Sequence, residues 1–246
     1  MTRILHLSDP HFGAHTPAVF EHFMQVLPGL SPDLIVISGD LTQRARPAQF
    51  AAARGFIAGL GAPVLAVPGN HDAPLLNIVQ RLCDPWRGWR GLGARAVWAD
   101  DRVVVAGVNT ADPRVWKRGR FTPALQGELA RAFATAGSRR RIAVLHHPIQ
   151  HPPEDPQGPL RGAALAAQAL AGLGVCMVLS GHLHRPGAAP LTAAPGVLQV
   201  LAGSVLSWRL RGAPNGFNLI DLGGSQPVIT EWRLGPDGFA PRPLWP

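Results

Sequence analysis

Short β-branched and leucine-rich runs alternate with stretches of helical spacing through the first two thirds of the chain. Residues 4–8 predict a strand and 18–27 a helix; 34–38 predict the next strand, followed by a helix over 48–60 that Pro47 opens. A third strand at 64–67 precedes a short helix near 74–82. Strands at 103–108, 142–145 and 175–179 continue the scheme, with helices at 122–136 and 160–171 between them.

Beyond residue 185 the helices stop. Apolar runs at 197–201, 205–209, 217–222 and 228–234 are separated only by Gly, Pro and Asn turns, which predicts an antiparallel meander over about 195–234. Residues 235–246 read as an extended tail, and 152–159 as a proline-rich loop. Alternating strands and helices followed by strands alone imply an α/β fold, a mixed sheet arrangement with helices outside. No repeat or linker divides the chain, so one domain over 1–246 is expected.

Polar residues sit where these strands end. The first strand runs into Asp9-Pro10-His11, the second into Gly39-Asp40 and the third into Gly69-Asn70-His71-Asp72. Later strands end in His146-His147-Pro148 and Gly181-His182-Leu183-His184. In open α/β sheets, sites form beyond the carboxyl ends of the strands, so these five clusters are expected at one edge. Their donors are carboxylate, imidazole and amide with no thiolate, a set suited to Mn, Fe, Zn or Co and unlike a structural Cys-rich zinc site. Two carboxylates with several imidazoles exceed what one ion needs. A pair of ions sharing one carboxylate accounts for the number, and such a pair activates water against a phosphoryl centre.

The ordered set Asp-x-His, Gly-Asp, Gly-Asn-His-Asp, His-x-Pro and Gly-His-x-His resembles the calcineurin-like metallophosphoesterase superfamily, and in particular the short bacterial class III cyclic-nucleotide phosphodiesterases. The motifs span Asp9 to His184. The resemblance implies a four-layer α-β-β-α sandwich, two mixed sheets flanked by helices, with a metal site at the carboxyl edge of the strands. It also implies that Asp9, His11, Asp40 and His184 hold a first metal, and that Asp40 (bridging), Asn70, His146 and His182 hold a second. His71 would reach the substrate as the catalytic residue, stabilising the transition state or protonating the leaving oxygen. The implied reaction is hydrolysis of a phosphodiester, a 3′,5′-cyclic nucleotide among the candidates, by a metal-bridging hydroxide. Mn and Fe are the expected ions, with Zn and Co as substitutes. Choosing His146 over His147 rests on the family pattern, since spacing treats the two alike.

Composition refines this picture modestly. With 46% hydrophobic and 15% charged residues the chain can bury a core, which excludes a disordered protein. The net charge of +8 comes almost wholly from arginine, Lys117 being the lone lysine. It is compatible with a small phosphoester substrate and does not by itself argue for nucleic acid. The segment from Arg114 to Arg120 follows a strand end, so Arg114, Lys117 and Arg118 are candidate substrate contacts, together with His15 in the first loop. Asp72 is expected to orient a neighbouring imidazole or backbone. Residues 163–179 are too interrupted, by Gln168, Gly172 and Gly174, to cross a membrane. The short apolar stretch at the amino terminus is not expected to act as a signal peptide. With two cysteines and no membrane segment, a cytoplasmic protein is expected. A homodimer is compatible with the terminal strands and an exposed Trp245. A nuclease or phosphomonoesterase, or a non-catalytic scaffold on the same fold, are the competing readings.

Overall fold

The computed structural model describes residues 1–151 and 158–245. Most of the proline-rich 152–159 segment therefore lies outside the described residues. Among these residues twelve strands form two six-stranded mixed sheets. The first sheet contains β1 (Arg3–Leu7), β2 (Leu34–Ile37), β3 (Val64–Ala66), β10 (Gly216–Asp221), β11 (Val228–Gly235) and β12 (Gly238–Trp245), in the order β12-β11-β10-β1-β2-β3. The second contains β4 (Val97–Ala99), β5 (Val103–Gly107), β6 (Arg140–Val144), β7 (Val175–Ser180), β8 (Gly187–Leu191) and β9 (Ala194–Leu201), in the order β4-β5-β6-β7-β9-β8. Five α-helices accompany them: α1 (Pro17–Leu30), α2 (Pro47–Gly59), α3 (Ile78–Cys83), α4 (Pro123–Phe133) and α5 (Ala163–Gly172).

Strand alternation builds the layers, because successive side chains of a strand point to opposite faces. In β2, Leu34 and Val36 join the core between the sheets, while Ile35 and Ile37 pack with Phe23, Phe50 and Phe56 of α1 and α2. In β6, Ile142 and Val144 face the same inter-sheet core, while Ala143 packs with Leu129 and Leu170 of α4 and α5. Every one of these strand positions is buried, so the strands read as continuous apolar runs. The result is the expected α-β-β-α sandwich. β1, β2 and β3 run parallel, as do β5, β6, β7 and β9, which brings the carboxyl ends of each set to one edge.

Three expectations about the last quarter are corrected. The predicted meander is divided: β9 pairs in parallel with β7 in the second sheet, whereas β10, β11 and β12 belong to the first. Residues 205–209 form no strand. They lie in a loop whose Val205 and Leu206 are fully buried and bonded to the loop after β1, Val205 N–H to Ser8 and Thr16 N–H to Leu206. Their apolar character serves that burial and not a sheet. Residues 238–245 are no tail but an edge strand on β11, where Pro241 and Pro243 are tolerated because one side of the strand has no partner. Trp245 packs partly against the inter-sheet core. Among the described residues, no helix is long and apolar enough to cross a membrane.

Candidate metal centre

The five strand ends converge. Asp9 and His11 follow β1, Asp40 follows β2 and Asn70 to Asp72 follow β3, all from the first sheet. His146 follows β6, and His182 and His184 follow β7, from the second. Their side chains meet across the seam. His184 Nε2 lies 3.0 Å from Asp9 Oδ1, and His11 Nε2 lies 3.5 Å from Asp9 Oδ1 and 3.7 Å from Asp40 Oδ2. On the other side of Asp40, His146 Nε2 lies 3.4 Å from Oδ2. Ligands about 2.0–2.2 Å from a common ion are separated by roughly these distances.

Hydrogen bonds fix which atoms face that centre. His184 Nδ1–H donates to the Arg209 carbonyl at 2.5 Å, and His146 Nδ1–H to the Ser38 carbonyl at 2.7 Å, so each turns Nε2 inward. His11 Nε2 stands 3.2 Å from His184 Nε2, close enough for the two nitrogens to share a cation. Asp9 Oδ1, Asn70 Oδ1 and His146 Nε2 are buried without a well-angled hydrogen-bond partner. Buried polar atoms are ordinarily satisfied, so these orphans fit an ion. His147 belongs to a compact His146–His147–His182 group as well. Its own nitrogens are committed, however, Nδ1 to Thr110 Oγ1 at 2.9 Å and Nε2 to the Lys117 carbonyl at 3.1 Å. His146 keeps the free nitrogen.

The carboxylates are held ionised by this surrounding. Burial opposes ionisation of Asp9, but His184, His11 and His146 carry its pKa well below the ordinary carboxylate value. For His146 burial works downward, yet Asp40 and Asp9 bring the pKa up to about 9. Among the described residues the Asp72 side chain makes no hydrogen bond to these donors. Its carboxylate accepts from Gly69 N–H, Leu41 N–H, Thr42 N–H and Thr42 Oγ1, pinning the loops after β2 and β3 together. His6, buried in β1, is bonded to Ser38 Oγ at 2.9 Å and is a core residue.

A cleft of about 240 Å³ opens over the centre, lined by Asp40, Asn70, His71 and His182 among others. His71 donates Nδ1–H to the Gln43 carbonyl at 2.9 Å and turns Nε2 to the cleft, 3.4 Å from Arg209 Nη1. Burial is the main cause of its lowered pKa, against the pull of Asp40. Of the residues expected to touch substrate, Lys117 lines the cleft. His15 lines a separate hollow with Phe12, Phe20 and Phe56. Arg118 turns to the Pro159 carbonyl, and Arg114 is exposed outside the cleft lining. The cleft also holds Gln43, Arg44, Arg209 and Arg211, which reading the sequence did not single out.

Residues 2–186 match the family described as Calcineurin-like phosphoesterase. The chain is 31% identical over 200 residues to a cAMP/cGMP dual specificity phosphodiesterase of Mycobacterium tuberculosis, covering 74% of this chain and 61% of that one. It is 27% identical over 162 residues to the glycerophosphodiester phosphodiesterase GpdQ of Enterobacter lignolyticus, covering 59% and 56% of the two chains. The chain thus spans about three fifths of the length of these curated relatives. A dimetal phosphatase from Danio rerio shares the fold over 99% of both chains, with a TM-score of 0.65 at 12% identity.

Proposed function

The chain belongs to the calcineurin-like phosphoesterase family, and from that premise we propose that it hydrolyses a phosphodiester at a two-metal centre. Asp9, His11, Asp40 and His184 would hold one ion, and Asp40, Asn70, His146 and His182 the other. The observation that carries this reading is the set of buried polar atoms left without a well-angled hydrogen bond, Asp9 Oδ1, Asn70 Oδ1 and His146 Nε2, around a shared Asp40. The hard and borderline donor set favours Mn or Fe over a soft-metal site. When bound, the ion pair supplies activated water and charge neutralisation at phosphorus.

The chain's own residues do the rest. The Ser38 and Arg209 carbonyls orient His146 and His184 through their Nδ1–H groups. Asp40 Oδ1 accepts the His71 N–H at 2.8 Å, which ties the bridging carboxylate to the catalytic loop. His71 presents Nε2 to the cleft; with Nδ1–H donated to Gln43 that nitrogen is an acceptor at rest, and it would take up a proton in the site before passing it to the leaving oxygen. A cyclic nucleotide is one diester of this class, and the likeness to the mycobacterial cAMP/cGMP phosphodiesterase supports it as a first substrate to assay.

Asp40→Ala tests the centre, because it removes the carboxylate common to both halves. The variant is expected to lose bound metal by elemental analysis and, with it, hydrolysis of bis(p-nitrophenyl) phosphate. Full metal content and undiminished turnover would remove the basis for this reading.

A further inference from the structure

The cleft carries more positive charge than a simple diester uses. Arg44, Arg81, Lys117, Arg209 and Arg211 line it, against the single carboxylate of Asp40. A diester phosphate has one negative charge and two non-bridging oxygens, which the proposed metal ions and His71 already satisfy. Two of the cations have structural duties. Arg81 donates to the Pro74, Pro113 and Val115 carbonyls and lies 4.3 Å over the Trp116 ring. Arg211 donates to the His182 carbonyl at 3.3 Å.

Arg44, Lys117 and Arg209 remain, and of these the two arginines are linked through Gln43. The Arg44 side chain forms no hydrogen bond or ion pair among the described residues, and its neighbour Gln43 accepts from Arg209 Nη1 at 3.0 Å. Arg209 itself reaches the edge of the reaction centre, 3.4 Å from His71 Nε2, and has no carboxylate partner among the described residues. Both sit on loops anchored from behind, Arg44 by its N–H to Gln49 Oε1 and Arg209 by its N–H to Ser207 Oγ. Like charges gathered beside a single lining carboxylate repel one another, and a planar guanidinium pair matches the oxygens of a phosphate.

We propose that Arg44 and Arg209 form a second anion site beside the metal centre, so that the substrate is a small phosphodiester bearing a further phosphate group. This rests on the phosphodiesterase reading and extends it to the substrate's charge. Water adds across the scissile P–O bond as in any diester hydrolysis; the second phosphate is unchanged.

A matched pair tests it: thymidine 5′-(p-nitrophenyl phosphate) and its 3′-phosphorylated counterpart, assayed with the metal-loaded protein. The 3′-phosphorylated ester is expected to have a kcat/KM higher by on the order of tenfold, chiefly through KM. Arg44→Gln and Arg209→Gln are each expected to bring that ratio towards one, and Arg44→Lys to keep part of it. Rising salt should also narrow it. Equal kcat/KM for the two esters in the unaltered protein, or a preference that persists in both glutamine variants, would overturn the site. Calorimetric titration with thymidine 3′,5′-bisphosphate against thymidine 5′-monophosphate reads the anion site without turnover. If neither ester is hydrolysed, the phosphodiesterase reading fails, and a tighter-bound bisphosphate still upholds the anion site while equal affinities reject it. A single-stranded decanucleotide bound more tightly than the bisphosphate would replace the small substrate with a nucleic acid and overturn the proposal.

Discussion

Asp9, His11, Asp40, His182 and His184 all hold positive φ, between 48° and 68°. A non-glycine residue in that region costs roughly 1–2 kcal/mol, less for Asp and His than for bulkier side chains. Strain gathered at these ends is consistent with a site that needs each side chain aimed inward while the backbone turns away. Gly39 serves the same turn with φ +105°, and a Cβ there would strike the His146 ring. Gly69 is bare for a related reason: a Cβ would press on Asp40. Gly39→Ala is therefore expected to destabilise the fold by about 1–3 kcal/mol in urea unfolding and to lower the bound metal. Normal stability with normal metal content would show that the close approach to His146 has no consequence. At this scale the motif residues were legible because each follows an apolar run directly. What separates His146 from His147 was not, since it depends on the Ser38 carbonyl and on Thr110, both distant in sequence.

Legibility of the elements follows burial. The central strands β1, β2, β5, β6 and β7 are apolar on both faces and stand out in the sequence. β4 and β8 do not, because β4 is largely exposed and β8 is a Gly-Ala-Ala-Pro run with little side chain to read. The consequential miss is the loop over 202–215. It leaves the end of β9 in the second sheet and enters β10 in the first, so it crosses above the seam and delivers Arg209 and Arg211. Read as a strand at 205–209, it was not counted among the strand-end loops. Its apolar start, Val205 and Leu206, is buried against the β1 loop, which mimics a strand's pattern. Asn215 secures the crossing by donating Nδ2–H to the Ser204 and Ser207 carbonyls, at 3.1 and 2.9 Å. Ser204 in turn donates to the Asp9 carbonyl at 2.7 Å. Asn215→Ala removes two buried hydrogen bonds and is expected to cost about 1–3 kcal/mol of stability. It should also raise KM more than it lowers kcat, because the loop carries cleft residues. An unchanged KM in a destabilised protein would confine Asn215 to a structural role.

On the scale of the whole molecule, the donors are divided between the sheets. Asp9, His11, Asp40 and Asn70 stand on one, and His146, His182 and His184 on the other. An ion held by both would bind the folded arrangement and not the unfolded chain. Binding of that kind stabilises by mass action, about 2.7 kcal/mol when free metal is a hundred times Kd. For a chain of this size that raises Tm by roughly 5–10 °C. Protons compete for the same donors. Burial acts against the charged form of His146, but Asp40 and Asp9 lift its pKa to about 9, so below that pH an incoming cation must displace a proton. The sign follows directly: acidification strengthens the proton and weakens the metal. The Mn-induced rise in Tm is thus expected to shrink steadily from pH 8.5 to pH 6, and metal uptake to release protons into a weakly buffered solution. Asp40→Ala, lacking the shared carboxylate, should show neither effect. A Tm shift independent of pH, or one retained in that variant, would place the ion somewhere other than the seam between the two sheets.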